Sequence, residues 1–403
     1  MALTGSLALV DTGVSYKKQF VSATTLQVEL LTTEAAFDAL AESWDKLLTQ
    51  NATLAYFLRW SWNRLWWKTY APAGSRLYLL ACRDGEGQLL GLAPLYWQQK
   101  TFAGVPHVRE LNFIGTGAAI KTSEHLDILA LHGFERAVAE SIAFFLSQRN
   151  DWDRLHLWNV PDRSQVLPHL EKAMNTQATT CDHPHYISTE QDWETLRLTW
   201  ARKFRYNIER CTRNLSKAHE AVFARVETQT ELDATLDDFI RLHQMRWESK
   251  GHEGSFAFPQ FESFLRTAIQ QAFEAGQLRF WSYKLDGQCV ATLVAFVENG
   301  VAHYFQGGFD PAFSKHSLGS VMTAQCLQDC VADPAIHEFD FMGGGSAYKD
   351  SWTEQTRTAF ELECFQPGWR SLLYQNGLKT RRVLGRVRRA LRARWQSSTA
   401  SSS

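Results

Sequence analysis

The residues best suited to chemistry lie between His303 and Trp352, in HYFQGGFDPAFSKHSLGSVMTAQCLQDCVADPAIHEFDFMGGGSAYKDSW. Lys315, His316 and Ser317 lead into Leu318, Gly319 and Ser320 at the start of a helical run. A helix start offers unpaired backbone N–H groups and the positive end of the helix dipole, so basic residues ahead of it and small residues within it favour an anion such as phosphate. Downstream, the alternating sequence EFDFM reads as a strand and runs into Gly343 to Gly345, a turn that glycine permits because it accepts positive φ. The turn delivers Tyr348, Lys349 and Trp352. A lysine at the carboxyl end of a strand can stabilise developing negative charge or grip a phosphate. Asp340 alternates with Phe339 and Phe341 and points to the other face of its strand. There it takes up a proton, orients a substrate amine, or sits as a buried and satisfied carboxylate. Gln306 and His303, on the strand before the anion loop, are further polar candidates.

The elements that must position these groups are a strand, a polar loop, a helix, a second strand and a glycine turn. That order resembles the cofactor half of the GNAT acyltransferase fold, whose loop pattern is Gln or Arg, two residues, Gly, one residue, then Gly or Ala. His316, Gly319 and Val321 occupy those places, and Gly319 alone matches. The segment FDFMGGGSAYKDSW is similar to the Phe/Tyr-Lys-x-x-Phe/Trp segment of the Fem peptidyltransferases, and more so to the CelD-like acetyltransferases associated with cellulose and exopolysaccharide synthesis. The resemblance implies acetyl-coenzyme A as cosubstrate and no metal. It places the cofactor on Gln306, Lys315, His316, Ser317, Gly319 and Ser320, and the chemistry on Lys349, Asp340 and Tyr348. It also implies a V-shaped gap beside Phe305 and Phe341 that seats the thioester.

With 403 residues, 45% hydrophobic and 21% charged, the chain is long enough for two domains with ample core. A duplicated order supports this. Helices, a hairpin about Asp84-Gly85, strands, a helix and RLHLWN (154–159) are followed by helices, a hairpin about Asp286-Gly287, a strand, a helix and EFDFMG (338–343). The expected fold is α/β (α+β): tandem GNAT-like repeats, each a mixed, mostly antiparallel sheet flanked by helices. The expected divisions are a mobile arm at 1–25, an N-terminal GNAT-like domain at 26–185, a C-terminal GNAT acetyltransferase domain at 190–368 and a basic tail at 370–403. TAFELECF is expected to close the second sheet. The helix within 53–70 carries Tyr56, Phe57, Trp60, Trp62, Trp66 and Trp67, too many rings for one neighbour, so it is expected to sit centrally.

In the first repeat EHLDIL (124–129) resembles the acidic strand of the CelD-like group, which places His125 and Asp127 in the cleft as substrate contacts. Only Gly133 marks a helix entry in this half, so one coenzyme site is expected. A basic helix holds seven Lys or Arg, among them Arg205, between positions 194 and 217. Such a cluster draws anions, and Arg205 joins Trp352 as a candidate substrate contact. Arg370 to the end carries nine Lys or Arg and no acid, leaving −10 on the remainder of a chain whose net charge is −1. In 378–396, Val383, Leu384, Val387, Leu391 and Trp395 follow helical spacing among arginines, which suits an anionic membrane surface better than nucleic acid. Seven scattered cysteines read as reduced thiols of a cytoplasmic protein, and neither a signal peptide nor a membrane span is evident.

These residues support an N-acetyltransferase acting on a sugar or sugar-linked precursor of a polysaccharide. Two alternatives are aminoacyl transfer from tRNA, as in Fem proteins, and a non-catalytic docking subunit of a polysaccharide-synthesis machine.

Overall fold

Residues 15–18, 26–51, 53, 55–102 and 105–377 are described by the computed structural model. The first half contains β1 (Ser15–Lys18), β2 (Leu26–Leu31), α1 (Glu34–Ala39), α2 (Ala41–Thr49), α3 (Trp60–Tyr70), β3 (Arg76–Arg83), β4 (Leu89–Phe102), β5 (Val105–Phe113), β6 (Leu129–Ala130), α4 (Glu135–Ser147) and β7 (Arg154–Pro161). A connection comes next, with α5 (Leu167–Met174), β8 (Thr179–Asp182) and β9 (Tyr186–Ser188). The second half contains α6 (Trp193–Leu198), α7 (Arg202–Ala218), β10 (Ala221–Arg225), α8 (Gln229–Glu248), α9 (Pro259–Glu274), β11 (Leu278–Leu285), β12 (Gln288–Glu298), β13 (Val301–Phe309), α10 (Leu318–Ala332), β14 (Glu338–Asp340), α11 (Ala347–Asp350) and β15 (Ala359–Phe365).

Two sheets result, with orders β1-β2-β3-β4-β5-β7-β15-β8 and β10-β11-β12-β13-β14-β9, β6 pairing with β4 beside the first path. The β11–β12 hairpin turns on Asp286 at φ 50° and Gly287 at φ 80°, the double positive φ that matches the strand twist. Neighbouring strands are antiparallel except β5 with β7 and β13 with β14. These two parallel pairs are equivalent: Arg154 and Leu155 stand where Glu338 and Phe339 stand, the alignment read from RLHLWN and EFDFMG. Both sheets are thus mixed, mostly antiparallel and flanked by helices, as tandem GNAT-like units require.

Beyond their paired residues the two parallel pairs diverge. β13 and β14 stay together for three residue pairs, ending at His303 and Asp340, after which β13 continues to Phe309 beside β12 alone. Val294 faces Gln306 and Ala295 faces Tyr304, so Phe305 is an extra residue that bends the strand at the point of parting. In the first sheet the corresponding space is filled by the chain itself. Beyond the end of β5, β6 pairs with Gly91 and Leu92 of β4. Leu126 N donates to Asn159 O at 3.1 Å and His125 N to Asn159 Oδ1 at 2.6 Å on the β7 side.

Other expectations are corrected by the structure. β15 pairs with β7 and β8 and completes the first sheet, whereas β9, from the connection, completes the second by pairing with β14. The last strand of the chain thus lies inside the first sheet, between β7 and β8, and a strand of the connection edges the second, pairings that composition cannot reveal. Residues 15–18, within the segment read as an arm, pair with β2. EHLDIL contributes only its last residue to a strand, and Thr199 to Ala201 break the basic helix into α6 and α7. The aromatic helix α3 does lie centrally: Trp62 packs edge-on against Phe264 and Phe296 of the second unit at 5.0 and 5.2 Å, inside one core that spans both units. Residues 369–377 form a last helix. Residues 378–403, the greater part of the basic tail, lie outside the described residues.

Candidate active site

The gap between β13 and β14 opens onto two cavities that meet. One, of ≈310 Å³, is lined by Ser317, Gly319, Ser320, Phe309 and Thr323 among others. The second, of ≈700 Å³, lies between the units against Lys121, Glu124, Phe305, Gln306, Phe341 and Lys349. Arg246, Lys250, Tyr304, Gly307 and Tyr348 line both.

The smaller cavity has the features an anion needs. Ser317, at φ 49°, turns the chain into α10, and Asn207 Nδ2 donates to its Oγ at 3.1 Å. A Cβ on Gly319 would come within 3.1 Å of the Phe309 ring, so glycine keeps the helix start close to β13. Arg246 lies over Phe309, 5.1 Å from the ring centroid, and donates from Nη1 to Gly307 O at 3.1 Å. Its buried Nε has no hydrogen-bond partner among the described residues. The cations here come from Arg246 and Lys250, one helical turn apart along α8 and its end. Lys315 and His316 lie outside this lining, and Arg205, on α7, lines a separate surface cavity with Arg197 and Glu209.

The glycine turn is held from the opposite unit. Gly343 N donates to a Glu124 carboxylate oxygen and Gly344 N to Asp182 Oδ2 at 2.8 Å. A Cβ on Gly343 would stand 2.3 Å from that Asp182 oxygen, so the carboxylates can approach only glycine. Lys121 Nζ balances them, 2.5 Å from Glu124 and 3.7 Å from Asp182. Lys349 Nζ donates to Met342 O at 2.9 Å and Gly343 O at 2.5 Å, which fixes the inner side of the turn. Burial pulls the Lys349 pKa below the usual lysine value, against the upward pull of Glu124 and Asp340. Tyr348 meets Thr323 Oγ1 at 2.7 Å. Burial of its phenol pushes the pKa upward, so Tyr348 keeps its proton.

Asp340 lies beneath this surface and lines neither cavity. Its Oδ1 accepts from Met342 N at 2.7 Å, and its Oδ2 is 2.7 Å from His125 Nε2 and 3.3 Å from His303 Nδ1. Burial alone would raise the Asp340 pKa, but His125 and His303 outweigh it and hold the carboxyl well below its ordinary range. Burial depresses His303. One donor atom from each residue falls within 4.8 Å of the others, so the three could hold a metal ion. As arranged, they join the units: His125 comes from the segment that fills the first sheet, Asp340 and His303 from the second. Asp340 is thus buried and held between the two histidines and Met342 N, behind the cavities.

Asp127 is also buried away from the cleft, accepting from Thr53 Oγ1, Ser164 Oγ and Ile128 N at 2.7–2.8 Å, with burial pushing its pKa to about 6. Trp352 is 1% exposed and packs on Phe341, Trp200 and Phe204; it supports the turn from below. The structure brings Gln306, Ser317, Gly319, Ser320, Tyr348 and Lys349 to the cavities. It adds Lys121, Glu124, Arg246 and Lys250. Glu124 stood one residue from a position singled out in the sequence; nothing local marked the α8 cations.

His243, on α8 at the cleft wall, offers a pH test. It is 2% exposed, accepts from Trp247 Nε1 at 3.0 Å, and burial lowers its pKa to about 4. A histidine depressed in the folded state contributes stability that is complete above its unfolded pKa near 6.5 and is lost as pH falls towards 4. Urea unfolding should show a loss of roughly 3 kcal/mol from this residue across that window. His243→Gln should flatten the wild-type dependence by that amount; equal slopes would remove His243 as its source.

Residues 202–350 match the family described as "Acetyltransferase (GNAT) domain". No curated protein matches the chain. Among solved structures, FemX is similar with a TM-score of 0.59 at 10% identity, covering 83% of this chain and 97% of that one. A conserved protein of unknown function from Bacteroides thetaiotaomicron gives 0.53 at 9% identity over 81% and 97%. The C-terminal DUF2156 domain of a putative lysylphosphatidylglycerol synthetase from Agrobacterium fabrum gives 0.51 at 10% over 85% and 96%. At such identities the likeness is one of fold. Residues 202–350 carry a GNAT acetyltransferase domain, which supports acyltransferase activity, and the fold as a whole is two GNAT-like units.

Proposed function

We propose that the chain moves the acetyl group of acetyl-coenzyme A to an amine on a sugar or sugar-linked precursor of a polysaccharide. The observation that carries this reading is the meeting of the two cavities at Tyr304, Gly307 and Tyr348. A donor can enter from the α10 side with its diphosphate against Ser317, Gly319, Ser320, Arg246 and Lys250, and its thioester in the gap. An acceptor then reaches the thioester from between the units. The first unit has no equivalent space because residues 124–130 fill it, so one donor per chain is expected.

In the reaction the acceptor nitrogen attacks the thioester carbonyl and the C–S bond breaks; Tyr348 protonates the departing thiolate, and the proton lost by the nitrogen passes to water in the cleft, from which the phenol is restored. Tyr348 holds a proton where the leaving sulfur would lie, and Lys349 fixes the turn beside the reacting carbon. Asp340, ionised and enclosed, orders the strand end. A hydroxyl-rich acceptor suits a cleft lined by Thr122, Ser123, Gln306 and Ser346, in which buried Thr122 Oγ1 and Gln306 Oε1 have no hydrogen-bond partner among the described residues. All seven cysteines are free, which agrees with a reaction in the cytoplasm.

Incubation with isotopically labelled acetyl-coenzyme A and cell extract, followed by mass spectrometry, tests the reading. It expects label on the nitrogen of an amino sugar or sugar conjugate. Label confined to peptides, or transfer requiring aminoacyl-tRNA, would replace it. Tyr348→Phe should slow turnover about 10²-fold with donor affinity unchanged; an unaltered rate would exclude the tyrosine as proton donor.

A further inference from the structure

The glycine turn beside the cleft draws most of its support from outside the domain that carries it. Four successive backbone N–H groups each have an acceptor: Phe341 N donates to His185 O at 2.9 Å, Met342 N to Asp340 Oδ1 at 2.7 Å, Gly343 N to Glu124, and Gly344 N to Asp182 Oδ2 at 2.8 Å. Of these acceptors only Asp340 lies within residues 202–350, the stretch that matches the acetyltransferase family. Three in a row are carboxylates, and a hydrogen bond to an ionised oxygen is roughly twice as strong as a neutral one. Left open, successive N–H groups of a turn draw an anion from solution; here side chains of the protein occupy them.

The turn needs this support because its backbone is strained. Met342 has φ 63° and Gly344 φ 83°. For a residue with a Cβ the first of these is unfavourable and persists only where the surroundings enforce it, as they do at reaction centres. The enforcing groups rest on the segment that fills the first unit's own gap. His125 N, next to Glu124, donates to Asn159 Oδ1 at 2.6 Å, and Lys121, which pairs with Glu124, stands 4.8 Å from the centroid of the Trp158 ring. Trp158 and Asn159 are both on β7, and Asp182 ends β8 of the same sheet. Lys349 acts from the other side, donating to Met342 O and Gly343 O. Each of the two peptide groups of the turn is therefore gripped at its oxygen by Lys349 and at its N–H by a carboxylate of the first sheet's unit.

We propose, on the acyl-transfer reading of the cleft, that the first unit serves as the positioning element of the second unit's reaction centre. Glu124 and Asp182 are positioning residues that hold the turn at 342–344 in the conformation Lys349 requires, and they act through that lysine. The unit whose own gap is filled contributes to the reaction by the same segment that fills it, and residues 202–350 without it lack two of the carboxylates that order their turn. This role does not depend on the identity of the acceptor.

Hydrogen exchange of the peptide spanning 341–345 in the full chain, read by mass spectrometry beside steady-state transfer and titration with acetyl-coenzyme A, tests this. Glu124→Ala should speed exchange at Gly343 at least about tenfold and lower kcat about 10–10²-fold, with the affinity for acetyl-coenzyme A unchanged. Glu124→Gln keeps an oxygen for Gly343 N to donate to and should bring both quantities back to within about threefold of wild type. The proposal is overturned if exchange in Glu124→Ala is as slow as in wild type, if the turn is freed and kcat does not fall, or if Glu124→Gln is as impaired as Glu124→Ala. A wild type that transfers no acetyl group would overturn the acyl-transfer reading, and exchange would then decide the grip by itself: faster in Glu124→Ala upholds it and unchanged overturns it.

Discussion

Lys349→Ala is expected to reduce acetyl transfer about 10²–10³-fold while the chain stays folded and binds acetyl-coenzyme A with similar affinity. The ammonium donates to two consecutive carbonyls, Met342 O and Gly343 O, on the inner side of the glycine turn, and faces the acceptor cavity. Loss of one preorganised cationic donor beside a reacting centre has a cost of this size. On the proposed reading the donor diphosphate would lie towards α10, in the cavity that Lys349 does not line. The split between rate and affinity is the informative part: steady-state kinetics should show a lower kcat with little change in KM for acetyl-coenzyme A. Full activity would remove Lys349 from the mechanism. A large rise in KM alone would make it a donor-binding residue.

Asp340→Ala should cost roughly 3–5 kcal/mol at neutral pH, the usual consequence of removing one member of a buried charge set. The carboxylate is 1% exposed and joins His125, His303 and Met342 N. Its folded pKa is depressed, so its stabilisation is present above the unfolded carboxyl pKa of about 3.9 and disappears as pH falls towards the folded value. His303, also depressed, adds a loss below about 6.5 in the same direction. Urea unfolding of wild type and variant should therefore differ most at neutral pH and converge in acid. A difference within about 0.5 kcal/mol at pH 7 would show that the cluster does not secure the two units.

Much of this was legible because it depends on local sequence. Hairpins announced themselves by Asp-Gly between β-rich runs, and the repeat by the shared spacing that set RLHLWN over EFDFMG. Gly343 to Gly345 signalled a turn, and the structure adds why: two carboxylates from the first unit occupy the space that a Cβ would take. What the sequence concealed depends on pairing across long separations. Asp340 alternates with aromatic residues whether it faces a cleft or a histidine pair, and the approach of His125 from the segment filling the first sheet is not written in that alternation. The sequence points to Lys315 and His316 for the cations of the smaller cavity, and neither lines it. They come instead from Arg246 and Lys250, an isolated pair whose value lies in the approach of α8 to β13, where a Cβ on Gly308 would stand 2.5 Å from His243 N. The pairings of β9 and β15 were hidden for the same reason, since neither strand carries a mark of the sheet it joins.

On the proposed reading a single donor binds in the gap between β13 and β14, the first unit's counterpart being filled by its own chain. Isothermal titration of the full protein with acetyl-coenzyme A measures this directly. Micromolar affinity with one molecule bound per chain is expected, weakened at least about tenfold by Arg246→Ala. Absence of heat at millimolar ligand, or two molecules bound per chain, would contradict it.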